Sequence, residues 1–166
     1  RPKGFKMKFK LSAFLCGFLI SLSLHAAPVR GWLNWRGPQQ NGSSLEKILP
    51  DKIDPKHPLW VADFPGQSTP VVANGKLYVM GFLGSGADLQ EGVACFDADT
   101  GKKLWEQRFN DFLSDIIYTR YASSSPAIDS ETGNVYMQGT QGILAAFTSD
   151  GKPLWQHSLM EEFGRL

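Results

Sequence analysis

The chain has 166 residues, 42% of them hydrophobic and 20% charged, a balance that supports a packed core and excludes both disorder and a coiled coil. Its formal charge of +1 is unevenly spread: residues 1–26 carry five Lys/Arg and no acid, so the remainder carries twelve basic and sixteen acidic residues, a net of −4. No basic footprint for nucleic acid survives on that remainder.

The chain opens with Lys3, Lys6, Lys8 and Lys10, followed by an apolar run from Leu11 to Leu24 that ends at His25-Ala26-Ala27-Pro28. This is the layout of a secretory signal peptide over residues 1–27, with cleavage near Ala26 or Ala27 and export to the periplasm or the extracellular space. Met7 opens a typical signal start, with residues 1–6 upstream of it. A membrane crossing needs about 20 apolar residues, so this shorter run predicts no membrane span after cleavage. Cys16 follows Leu15 inside the apolar run rather than a small residue at its end, which argues against lipid attachment. One cysteine, Cys95, is then left in the mature chain, too few for an intrachain disulfide or a Cys-based metal site. Its neighbours Ala94 and Phe96 make it a buried small hydrophobe.

Residues 28–58 form a lead-in that contains Trp32-Leu-Asn-Trp35-Arg36-Gly37-Pro38. Arg36 beside aromatic residues has two readings. It can stack and bind a carboxylate of a cofactor or acidic partner, or the segment can be a latch, with the Trp rings packed on the body and Arg36 paired to one of the chain's own carboxylates. The latch is the expected state.

From residue 59 to 166 the chain repeats itself. Gly75-Lys-Leu-Tyr-Val-Met-Gly81 aligns with Gly133-Asn-Val-Tyr-Met-Gln-Gly139, and Val93 to Trp105 aligns with Leu144 to Trp155, one residue shorter in its turn. Ser68-Thr69-Pro70 and Ser125-Pro126 precede the two copies, and Leu-Trp pairs end at residues 60, 105 and 155, periods of 45 and 50 residues. Within a period the pattern predicts four short strands: Val71 to Ala73, a second through Leu77 and Val79, Val93 to Phe96, and Lys103 to Gln107. Asn74-Gly75 between apolar runs is a strong hairpin signal, because a type I′ turn needs positive φ at both central residues. Asp99-Thr100-Gly101-Lys102 and Ser149-Asp150-Gly151-Lys152 mark the next tight turns. A unit of this size cannot cover both faces of its sheet, so it is stable only when stacked on copies of itself, and radial stacking gives a β-propeller blade. The expected fold is therefore all-β, a β-propeller of four-stranded antiparallel blades with about two blades present. Trp60, Trp105 and Trp155 are expected to dock between blades, each burying on the order of 200 Å². The stretches between Gly81 and Glu91 and from Asn110 to Ile117 read as surface loops, and His157 to Gly164 as a helical turn.

The module Ala94-Cys-Phe-Asp97-Ala-Asp-Thr100-Gly101-Lys-Lys-Leu-Trp105 resembles the tryptophan-docking repeat of the PQQ-like β-propeller superfamily, with Cys95 where that pattern has Ala. Ala146 to Trp155 keeps the Ala, Gly151 and Trp155 of the pattern and has Thr148 in place of Asp. The Trp32-x-x-Trp35-Arg36-Gly37-Pro38 opening is similar to that of secreted bacterial members. The resemblance implies a ring of seven or eight blades, of which this chain is an N-terminal part, or a ring closed by self-association. It also implies structural blade-docking roles for Trp60, Asp97, Gly101, Trp105, Gly151 and Trp155. The superfamily contains quinoprotein alcohol and glucose dehydrogenases, whose members that bind pyrroloquinoline quinone (PQQ) use calcium ligands, a general-base Asp and often a Cys-Cys pair, as well as assembly lipoproteins and exported propellers without catalysis. No residue here matches the calcium ligands or the base, and His57 and His157 are far apart in sequence. Asp97, Asp99 and Asp150 fall in turns, where hydrogen bonding to backbone explains them. No catalytic or metal residue is therefore assigned, and cofactor-binding residues are left unassigned. The expected function is a non-catalytic binding or scaffold module with a protein or carbohydrate partner and the remaining blades of its own ring. The alternative is a PQQ- and calcium-dependent alcohol or sugar dehydrogenase with its active site elsewhere. Trp32, Trp35 and Arg36 are the weak binding candidates.

Overall fold

The computed structural model describes residues 27–110 and 121–164. The signal-peptide reading, apart from Ala27, and most of the Asn110 to Ile117 loop lie outside them. Among the described residues, nine strands form two antiparallel sheets. The first runs β1 (Gly31–Trp32), β2 (Val71–Ala73), β3 (Lys76–Leu83), β4 (Gln90–Asp97) and β5 (Lys103–Asn110) in that spatial order. The second runs β6 (Ala127–Ile128), β7 (Val135–Gln138), β8 (Ile143–Phe147) and β9 (Pro153–Ser158). A short helix, α1 (Leu159–Phe163), follows and is capped by Ser158, whose side chain accepts from the Glu161 N–H. Among the described residues no helix is long and apolar enough to cross a membrane.

Each sheet is a four-stranded meander, the blade that the repeat predicts, and the first gains β1 from the lead-in. Asn74 and Gly75 adopt φ of 49° and 74°, so the β2–β3 hairpin closes through two left-handed residues with Ala73 opposite Lys76. The corresponding turn of the second blade is longer. Asp129 accepts from the Thr132 N–H and hydroxyl, both at 2.7 Å, and Gly133 sits at φ 73°. The β4–β5 turn uses the same device, Asp97 accepting from the Thr100 N–H at 2.8 Å and hydroxyl at 2.6 Å.

The core lies between the blades. One cluster joins Val71, Ala73, Tyr78 and Cys95 of the first blade to Ile128 and Val135 of the second, with Val29 and Leu33 of the lead-in against it. Another joins Met80 and Val93 to Met137, Ala145 and Phe147. Six consecutive residues of β4 are buried because the sheet is covered on both faces, by the second blade and by the segment around Trp60. On β9, five of six residues are exposed, since nothing described covers that side.

Candidate functional site

The chemistry-bearing side chains gather at the seam between blades, at a buried clamp beside it, and in the lead-in loop. At the seam, β5 carries Trp105 to the β8–β9 turn. Its indole N–H donates to the Ser149 carbonyl at 3.0 Å, and its ring lies where a Cβ on Gly151 would come within 2.6 Å. Gly151 is at φ 81°, so both the backbone and the approach of the ring select glycine. Gln107 donates to the Gly151 carbonyl at 2.9 Å, and Lys76 reaches across to Ser149 O at 3.2 Å and to the Asp150 carboxylate at 2.8 Å. That ion pair holds the Asp150 carboxyl below its usual range.

Trp60 makes the same contact one blade earlier. Its indole N–H donates to the Ala98 carbonyl at 2.9 Å, and a Cβ on Gly101 would fall 2.5 Å from its ring. Asp97 shapes that turn, its carboxyl held low chiefly by the Thr100 hydroxyl. Two further aromatics complete the motif. Trp60 and Phe64 flank Phe96 at 6.2 and 6.1 Å between ring centroids, and Trp105 and Phe109 flank Phe147, both at 6.1 Å. The Trp-x-x-x-Phe spacing that places them is visible in the sequence at 60–64 and 105–109, although the Leu-Trp pairs alone do not reveal it. Trp155 differs. It packs on Tyr136 of its own blade and on His157, and 43% of it is exposed, with no glycine turn against it among the described residues.

Glu91, at the start of β4, is 2% exposed. Its carboxylate accepts from the backbone N–H of Ala122 at 2.5 Å and from the N–H and hydroxyl of Thr140, both at 2.6 Å. It thus fastens the first blade to the β7–β8 turn of the second and to the incoming connection. Sequence reasoning passed over it, because an acid flanked by Gln90 and Gly92 reads as loop edge. Cys95 is fully buried opposite Trp105, and burial pushes its thiol up to about 11.

The lead-in divides the Trp32, Trp35 and Arg36 group. Gly31 and Trp32 pair with Ala73 and Val72, and the Trp32 ring packs so close to Gly37 that a Cβ there would lie 2.6 Å away. On either side, Val29 N–H donates to Ser130 O at 2.7 Å and Ile128 N–H to Leu33 O at 2.8 Å, so this stretch bonds to the inner strands of both blades. Trp35 is 64% exposed, with the Arg36 guanidinium over its ring at 5.4 Å. The expected pairing of Arg36 with a carboxylate of the chain is not formed among the described residues. The Asn34 turn, whose side chain accepts from the Arg36 N–H at 3.0 Å, carries residues 35 and 36 away from the blades. The two histidines stay apart at the surface, His57 on Asp54 at 2.8 Å and His157 on Glu162 at 2.7 Å. Among the described residues no three His, Cys, Asp or Glu side chains converge as a metal site would require.

Two four-stranded blades, joined through a tryptophan on the outer strand of one and a glycine turn of the next, define a partial β-propeller. The family described as outer membrane protein assembly factor BamB matches residues 52–165, well over half of the chain, and the chain belongs to this family of PQQ-like repeat proteins. Among solved structures, the chain is similar to the quinohemoprotein alcohol dehydrogenase from Comamonas testosteroni, at 22% identity and a TM-score of 0.38, over 59% of this chain and 14% of that one. No curated protein matches it.

Proposed function

We propose that the chain is part of an exported propeller that serves as a non-catalytic binding or scaffold module, with a protein or carbohydrate partner at its surface. The observation that carries this reading is the path of residues 29–33. Their bonds to Ser130 and Ile128 and the pairing of β1 with β2 cover the inner edges of both blades with the chain's own backbone. The carboxylates support the same reading: Asp97 and Asp129 are engaged by threonines of their own turns and Glu91 by three donors. The faces of Trp60 and Trp105 are likewise taken by glycine turns, so these two rings are not open to a flat quinone. These residues do not fit a quinone and calcium site. The experiment is a titration of the native protein, isolated from its source, with PQQ and Ca²⁺. No uptake is expected, and calcium-dependent binding at one quinone per protein overturns the reading in favour of a dehydrogenase. The mature N-terminus of the same preparation, expected at residue 27 or 28, tests export.

A further inference from the structure

We infer that the loop of residues 34–43 is a binding site for a carbohydrate that carries a carboxylate, a uronate, with Trp35 and Arg36 as its recognition pair. The inference rests on the binding-module reading above and gives that module a site and a partner class. The loop is held in shape by its own bonds. Gly37 N–H donates to Asn34 O at 2.9 Å, Gln40 N–H to Gly37 O at 3.1 Å and Gly42 N–H to Arg36 O at 2.8 Å. The Trp32 ring, placed by the pairing of β1 with β2, fills the space of a side chain at Gly37. The loop therefore projects from a segment bonded to both blades, and little of it needs ordering when a ligand binds.

Charge selects an anion. Trp35 is 64% exposed with the Arg36 guanidinium over its ring at 5.4 Å, and no carboxylate of the described residues pairs with Arg36. A guanidinium held against a ring keeps its planar fork for a carboxylate, which it grips through two hydrogen bonds. Residues 27–45 contain Arg30 and Arg36 and no acid, whereas residues 46–166 carry ten basic and sixteen acidic residues. A short ligand with one or two carboxylates is attracted to this basic island, while a long polyanion is repelled by the rest of the chain. The remainder of the loop selects sugar over peptide. Gln39, Gln40 and Asn41 are exposed amides, which both donate and accept and so suit neighbouring hydroxyls, and the flat Trp35 ring suits the C–H face of a pyranose. An acidic peptide needs instead an apolar groove or a strand edge to extend, and the main chain of residues 29–33 is already bonded to β2, Ile128 and Ser130.

Calorimetric titration of the native protein, isolated from its source, with digalacturonate tests the site. Two further probes run beside it: the methyl-esterified disaccharide, which keeps the rings and loses the charge, and a tetraglutamate peptide, which keeps charge and loses the rings. Binding of digalacturonate alone is expected, weakened at least about tenfold by Arg36→Gln and by Trp35→Ala in the full-length protein. Arg36→Lys is expected to weaken it as well, because an ammonium lacks the planar fork. No binding of digalacturonate overturns the inference. So does equal binding of the ester, which makes the site one for neutral sugars, or tighter binding of the peptide, which makes the partner an acidic protein. Binding that survives both Arg36→Gln and Trp35→Ala places the site elsewhere and overturns it too. A Trp35→Ala protein that unfolds at lower urea than its parent identifies residues 35 and 36 as a latch, with the same consequence. The two readings fail separately: PQQ uptake overturns the non-catalytic function, and silence toward digalacturonate overturns only this site.

Discussion

At Gly151 the φ of 81° and the Trp105 ring act on the same missing Cβ, so Gly151→Ala combines left-handed strain with a steric clash. The strain alone costs about 1–2 kcal/mol, and the unfolding free energy of the native protein from urea titration is expected to fall by at least that amount. Gly75→Ala, with a similar φ of 74° but open space around it, is expected to cost only the strain. Equal losses at the two positions would mean that the ring yields. Glu91 gives a second test at this scale. Glu91→Gln keeps the volume but turns one acceptor into a donor that faces the N–H groups of Ala122 and Thr140. A loss of about 1–3 kcal/mol is expected, together with faster amide exchange at Ala122 and Thr140. A stability change without altered exchange at those amides would place the effect elsewhere.

At the scale of elements, Asp97 and Asp129 each fold a turn through the threonine three residues on, and both carboxyls titrate below their ordinary value. A carboxyl lowered in the folded state contributes fully above its unfolded pKa and loses that contribution as pH falls through the folded value. The native protein should therefore lose stability below about pH 4, and Asp97→Asn and Asp129→Asn should flatten that decline in urea midpoints measured from neutral to acid. The turns also show what the sequence discloses and what it hides. Asn74-Gly75 and the Leu-Trp periods were legible because each is a local constraint, on φ or on spacing. The Asp129 turn was not, because aligning Gly133 with Gly75 suggested a two-residue hairpin and concealed a second Asp-x-x-Thr-Gly. Nor was β1, since two residues carry no periodicity and its partners, Val72 and Ala73, lie about forty residues away. Glu91 is legible only once Thr140 and Ala122 are brought beside it.

At the scale of the molecule, the seam between the blades is finished and the outer faces are not. Trp105 has its glycine turn, its phenylalanine and its carbonyl, whereas among the described residues Trp155 makes ring contacts with Tyr136 and His157 and meets no glycine turn, with Leu154 exposed alongside. In the isolated 166-residue chain, Trp105→Ala is expected to cost about 3 kcal/mol, the low end for a core aromatic because the ring is partly buried, and Trp155→Ala less than about 1 kcal/mol, the range of a surface change. The same asymmetry governs association. The exposed Leu154 and Trp155 of the outer face, together with Leu59 and Val61, leave apolar surface that monomers normally cover. The isolated chain should therefore self-associate with rising concentration in sedimentation velocity, and Leu154→Glu with Trp155→Glu should shift it toward monomer. If a further blade covers that face in the native protein, those two charges would instead be buried against it and lower stability. Monomer at all concentrations in the unsubstituted chain, or charges at 154 and 155 that the native protein tolerates, would mean that the outer face of the second blade is meant for water rather than for a neighbour.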